Sequence, residues 1–203
     1  MPRVKFITFE GPEGSGKSTQ ARLLYLYLRK RGFKVIFLRE PGKTKLGERI
    51  RRVLLNPKTK LEPIEETVLY FISRKELLDK KIIPAIKEKK IVVCDRFSDS
   101  TFAYQGWGLK VNTDFIKSLE ELTLKGIKPD ITFLLDLPVG KGLKRCGDRK
   151  DRIEKRSLDY HKRVREGYLK LAKRQPQRIK LIRASLDKEE IHRKIIKYVF
   201  SED

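Results

Sequence analysis

Apolar residues along the chain fall into short runs that alternate with longer stretches of helical periodicity. Val4-Lys5-Phe6-Ile7-Thr8-Phe9 alternates as a half-buried strand does, and Ile91-Val92-Val93-Cys94 is continuously apolar, as in a strand covered on both faces. Strands are expected over residues 4–10, 34–39, 90–95, 130–136 and 179–183. Helical patterns fill residues 17–31, 45–55, 63–89, 112–126, 138–147, 155–174 and 187–200, with Gly32 stopping the first and Pro84 marking a kink or break in the third. Strands alternating with such helices predict βαβ units: an α/β fold with a five-stranded parallel sheet flanked by helices. No repeat, linker or low-complexity segment divides residues 1–203, which read as one domain.

Charge changes the picture more than composition does. The chain carries 49 Lys and Arg against 27 Asp and Glu, a formal charge of +22. Between Lys141 and Arg183, 17 basic residues face five acidic ones, so over half of the excess lies in the last third. Such a surplus suggests a polyanionic partner. Yet Lys155, Arg156, Lys162, Arg163, Arg165, Lys170, Lys173 and Arg174 recur at helical spacing without interleaved aromatics, which fits a solvated helix face with a few phosphate contacts better than a nucleic-acid groove. Neither cysteine, Cys94 or Cys146, has metal-type spacing, which suits a reducing compartment. With no membrane-length apolar run and no leader-like start, the expectation is a soluble cytoplasmic protein.

The chemistry concentrates where the first strand meets the first helix. Gly11-Pro12-Glu13-Gly14-Ser15-Gly16-Lys17-Ser18, followed by Thr19, fits G-x-x-x-x-G-K-[ST], in which glycines let backbone N–H groups wrap phosphates at a helix N-terminus. Lys17 would reach the β- and γ-phosphates of ATP. Ser18 would face Mg²⁺, with Asp95 as a second ligand. Right-handed crossovers bring the carboxyl ends of the strands to the same edge. There Arg39-Glu40-Pro41-Gly42 and Asp95-Arg96 deliver two arginines and two carboxylates beside the phosphate loop.

With these residues in order, the sequence resembles the bacterial-type thymidylate kinases of the P-loop nucleoside monophosphate kinase group. The motifs are Glu10 to Thr19, Arg39-Glu40-Pro41-Gly42, Arg74, Asp95-Arg96-Phe97, Ser100 to Gly106, Pro129-Asp130 through Leu137, and Asp151-Arg152-Ile153-Glu154. The resemblance implies a P-loop NTPase fold with a short basic lid near residues 145–154, ATP as phosphoryl donor, Mg²⁺, and transfer to dTMP giving dTDP for dTTP synthesis. It further implies a homodimer, with neither membrane nor nucleic acid as partner. By the same resemblance, Arg39, Arg51 and Arg96 serve the acceptor phosphate, with Glu13, Glu40, Pro41 and Ser100 beside them. Tyr70 would stack on the base, Arg74, Thr101 and Gln105 would read its edge, and Tyr104 would crowd the 2′ position of the sugar. Catalytic charge would come from Lys17, Arg96 and a lid arginine: Arg149 first, then Arg145 and Arg152.

Three positions depart from the family pattern: Lys43 replaces the second glycine of REPGGT, Tyr70 replaces a usual phenylalanine, and Trp107-Gly108-Leu109-Lys110 lacks a frequent arginine. Gly14 stands where some relatives carry an arginine, which is why charge is expected from the lid. Two other readings stay open: a kinase of the same fold acting on another nucleotide, and a nucleic-acid-stimulated P-loop ATPase.

Overall fold

The computed structural model describes residues 4–147 and 150–200. Its centre is a parallel sheet in the order β2-β3-β1-β4-β5, formed by β1 (Phe6–Glu10), β2 (Val35–Arg39), β3 (Ile91–Asp95), β4 (Ile131–Asp136) and β5 (Ile179–Arg183). All five residues of β3 are buried, as its apolar run predicted, but so are all five of β1, Thr8 and Glu10 included, although its alternation read as a half-buried strand.

Helices cover both faces. On one, Ile7, Phe9, Val93, Phe133 and Leu135 pack against Leu24 and Leu28 of α1 (Lys17–Lys30) and Ile191 and Ile195 of α9 (Lys188–Phe200). On the other, Phe6, Val92 and Cys94 meet Leu77, Leu78 and Ile82, while Leu134 meets Val164 and Tyr168 of α8 (Leu158–Arg174). The remaining helices are α2 (Lys45–Leu55), α3 (Pro63–Leu77), α4 (Ile83–Lys87), α5 (Ser98–Thr101), α6 (Thr113–Leu124) and α7 (Val139–Arg145).

Two stretches differ from the sequence expectation. The helix expected over 63–89 is α3 and α4 joined by a π-helical turn at Leu78–Ile82, in which the Ile83 N–H reaches back to the Leu78 carbonyl. That wider turn sits just before Pro84, which has no N–H to continue the α-helical ladder. The second is an unexpected helix: α5 runs directly into a π-helical segment, Phe102–Gly108. Aromatic, β-branched and glycine residues gave it no helical signature. Packing holds it instead. A Cβ on Gly108 would lie 2.6 Å from the Tyr160 ring, and one on Gly167 would lie 2.9 Å from Trp107, so these two glycines let α8 approach the segment closely.

Candidate functional site

The carboxyl edge of the sheet opens into a cavity of about 490 Å³. Along one side runs the phosphate loop. Gly11, Gly14 and Gly16 all have positive φ (141°, 66° and 90°), which makes the turn from β1 into α1 possible. A Cβ on Gly11 would meet the Leu135 carbonyl at 2.3 Å, and one on Gly14 would meet the Gly142 carbonyl at 2.1 Å. Loop and α7 therefore touch backbone to backbone, and no larger residue fits at position 14 in this arrangement.

Lys17 lies across this loop, donating to the Pro12 carbonyl at 2.7 Å and to Ser15 Oγ at 3.4 Å. Burial and the neighbouring Arg96 pull its ammonium down to about 8, against the opposing pull of Glu13 and Asp95. Ser18 donates to Asp95 Oδ2. The other oxygen of Asp95, Oδ1, is buried without a partner. A hydroxyl and a carboxylate with one free oxygen fit Mg²⁺, which takes one or two protein ligands and completes its shell with phosphates and water. Accordingly, no cluster of three His, Cys, Asp or Glu suited to a metal occurs among the described residues.

Arg96 links the loop to the rest of the cavity. Its backbone is left-handed, at φ 70°, a strained conformation for an arginine. Its guanidinium binds both oxygens of Glu13, at 2.9 and 3.1 Å, and lies over the Tyr104 ring at 4.8 Å. Burial alone would raise the Glu13 carboxyl, but Arg96, Lys17 and the Tyr104 hydroxyl hold it at about 2. Arg96 Nη1 makes only long contacts of 3.3 to 3.4 Å, to the Gly11 carbonyl, Ser100 Oγ and Tyr168 Oη. That nitrogen is the less firmly held of the two terminal ones.

The cavity wall also includes Arg39, Glu40, Pro41, Arg51, Tyr70, Ser100, Thr101, Tyr104 and Gln105, and the Tyr104 hydroxyl donates to Glu13 of the loop at 2.6 Å. Arg39 and Arg51 both donate to the Pro41 carbonyl. Lys43 keeps the left-handed turn a glycine would make, at φ 65°, with its N–H held by Glu48 at 2.7 Å. Burial and Glu66 push the Tyr70 hydroxyl upward, so it stays protonated.

Two expected residues lie behind the wall. Arg74, 1% exposed, donates to Glu40 at 2.7 Å, to Thr101 Oγ1 at 2.9 Å and to the Phe97 carbonyl at 3.1 Å, its guanidinium lying over Phe71 and Phe97. It orients Thr101 and Glu40. Breaking such a buried pair costs about 3–5 kcal/mol. Arg152 donates to the Leu54 carbonyl and pairs with Glu66 at 2.6 Å, which turns it away from the phosphate loop. Arg145 does reach the loop, donating to the Gly14 carbonyl at 3.4 Å. Arg149 lies outside the described residues.

Other groups surround the cavity, and of these Glu10 and Asp151 to Glu154 fall within the motifs already named in the sequence. Glu10, the last residue of a buried strand, accepts from the Phe97 N–H, Ser100 and Tyr168; burial and nearby Asp99 raise its carboxyl to about 7. Cys146, Asp151, Ile153 and Glu154, all within the expected lid, complete the wall. Asp136, although at a strand end, is bound on both oxygens by Arg165.

The basic surplus of α8 is largely paired internally. Arg163 donates to the Gly108 carbonyl, Lys162 and Lys170 pair with Asp159 and Glu166, and Arg174 lies over Trp107. No helix among the described residues is long and apolar enough to cross a membrane.

Comparison with known proteins agrees with this geometry. Residues 9–195 match the family model described as thymidylate kinase. A thymidylate kinase of Thermoanaerobacter pseudethanolicus is 44% identical over 196 residues, covering 96% of this chain and 97% of its own. One of Kosmotoga olearia is 45% identical over 194 residues, covering 95% and 93%. The crystal structure of the thymidylate kinase of Ehrlichia chaffeensis superposes with a TM-score of 0.78 at 36% identity, covering 95% of this chain and 97% of that one. Sheet order, phosphate loop and sequence similarity together make this chain a member of the thymidylate kinase family.

Proposed function

We propose that the protein transfers the γ-phosphoryl group of ATP to dTMP, giving ADP and dTDP, within a single kinase domain whose residues 145–154 form a lid. One observation carries this reading. The cavity is lined by Lys17 of the phosphate loop and by Arg39 and Arg51, which share the Pro41 carbonyl, and Arg96 is within electrostatic reach of both Lys17 and Arg51. Such an arrangement suits two phosphate-bearing ligands meeting end to end.

The acceptor oxygen belongs to an anionic phosphate and needs no strong base. Rate enhancement then rests on positioning and on charge. Lys17 would leave the Pro12 carbonyl for the β- and γ-phosphates. Arg96 would keep its Glu13 pair through Nη2 and present Nη1 to the phosphoryl in flight, with Arg39 and Arg51 on the acceptor phosphate. Ser18 and Asp95 would hold Mg²⁺, whose charge offsets that of the β- and γ-phosphates. Arg145, at the end of α7, would supply the lid charge that Gly14 cannot. Tyr70 would stack on the base, with Thr101 and Gln105 at its edge.

The reading extends to a homodimer and to a cytoplasmic setting, the latter in keeping with two unpaired cysteines. Product analysis with ATP, Mg²⁺ and a panel of dTMP, dUMP, UMP, CMP and dGMP, with and without DNA, tests it. Strong preference for dTMP is the expected result. Hydrolysis that appears only with DNA, and no phosphorylated acceptor, would replace this reading with the nucleic-acid-stimulated ATPase.

A further inference from the structure

Glu66 lies on α3 with no exposed surface. Its Oε1 accepts from Gln105 Nε2 at 2.8 Å, and its Oε2 lies 2.6 Å from both Arg156 Nη2 and Arg152 Nη2. A carboxylate between two guanidiniums offers acceptors only, whereas a glutamine amide offers donors on one atom and acceptors on the other. The amide of Gln105 must therefore turn its nitrogen to Glu66. Its carbonyl oxygen is then the atom left for a ligand at the cavity wall.

We propose that Glu66 is a positioning residue for base selection: by fixing the Gln105 amide, it makes the cavity accept a pyrimidine that donates at this edge and reject one that accepts there. The proposal rests on the reading that Gln105 faces the acceptor base. Thymine carries an N3–H and fits. Cytosine presents a bare N3 lone pair and would oppose the carbonyl oxygen, and a buried mismatch of this kind discriminates far more strongly than shape. Arg152 and Arg156 contribute by occupying Oε2, which leaves Oε1 to Gln105.

The test is the ratio of kcat/KM for dTMP to that for dCMP in wild type, Glu66→Gln and Gln105→Ala. A glutamine at position 66 must keep its carbonyl oxygen on Arg152 and Arg156, which only donate, so its NH2 faces Gln105 and the Gln105 amide reverses. In Glu66→Gln the ratio should fall at least about tenfold, with an absolute gain in kcat/KM for dCMP and an unchanged KM for ATP. Loosened packing would not produce that gain. Should the single variant not fold, Glu66→Gln with Arg156→Gln removes one charge of each sign and gives the same readout.

If Gln105→Ala leaves the ratio at its wild-type value, Gln105 does not face the base, and the proposal falls with that reading. If Gln105→Ala lowers the ratio while both Glu66 variants retain it, the orienting role alone is overturned. Parallel losses for dTMP, dCMP and ATP in the Glu66 variants would overturn it too, as a purely structural effect.

Discussion

At the scale of single residues, the site stores its charges in pairs that a ligand must rearrange. Lys17 shows the consequence. Its ammonium titrates near 8 because it is buried beside Arg96, even with Glu13, Asp95 and Glu10 opposing. A bound triphosphate would supply the missing counter-charge and raise that value. Below pH 8 the free enzyme already carries the proton; above it, binding must take one up. Affinity for a non-hydrolysable ATP analogue with Mg²⁺ should thus be flat from pH 7 to 8 and then weaken by up to tenfold per pH unit, the limit for one coupled proton. An affinity constant from pH 7 to 9.5 would contradict the assignment. The placement of Lys17, Ser18 and Arg96 at one cavity was legible in the sequence, because spacing at strand ends brings them together. That of Arg74 and Arg152 behind its wall was not, since each is turned by a buried acid, Glu40 or Glu66. Glu65 and Glu66 adjoin each other, yet Glu65 caps the α3 terminus and Glu66 is fully enclosed. Nothing in two consecutive glutamates distinguishes them.

At the scale of elements, glycines set how closely the site's parts can approach. In α7 the contrast lies within one turn. Gly140 has open space around its missing side chain, whereas a Cβ on Gly142 would sit 2.2 Å from the Glu13 carbonyl. Alanine in an unobstructed helical position gains up to about 1 kcal/mol over glycine. A clash with fixed backbone reverses the sign and costs about 1–3 kcal/mol. Gly140→Ala should therefore melt at or above the wild-type temperature. Gly142→Ala should melt lower and bind ATP more weakly, because it pushes the phosphate loop away from α7. Thermal melts with and without ATP compare the two directly, and equal behaviour of the variants would refute the contact. Strands and long helices were readable because their apolar spacing is local. The helix at residues 98–108 was not, because its support is the glycine-mediated contact with α8, a partner some sixty residues away in sequence.

At the scale of the whole molecule, a charge of +22 works against association of like chains, so any self-contact needs a face that escapes it. One groove between α2, α3 and α6 does. Leu46, Val68, Phe71, Ile72 and Leu119 line it, and its charged residues are Lys75 against Glu76 and Asp79. Leu46 and Ile72 are 40% and 43% exposed, and the same helices leave Val53, Ile64 and Leu122 uncovered nearby. A two-fold pair would use this patch on both partners at once, burying apolar surface where basic repulsion is weakest. Because Ile72 is exposed in the single chain, Ile72→Glu should fold normally, yet it would introduce two like charges into such an interface. Sedimentation velocity at micromolar concentration should give a dimer for the wild type and a monomer for Ile72→Glu, the dimer fraction rising with protein concentration and surviving raised salt, as an apolar contact does. A wild type that sediments as a monomer throughout, or a variant that stays dimeric, would exclude this face as the site of pairing.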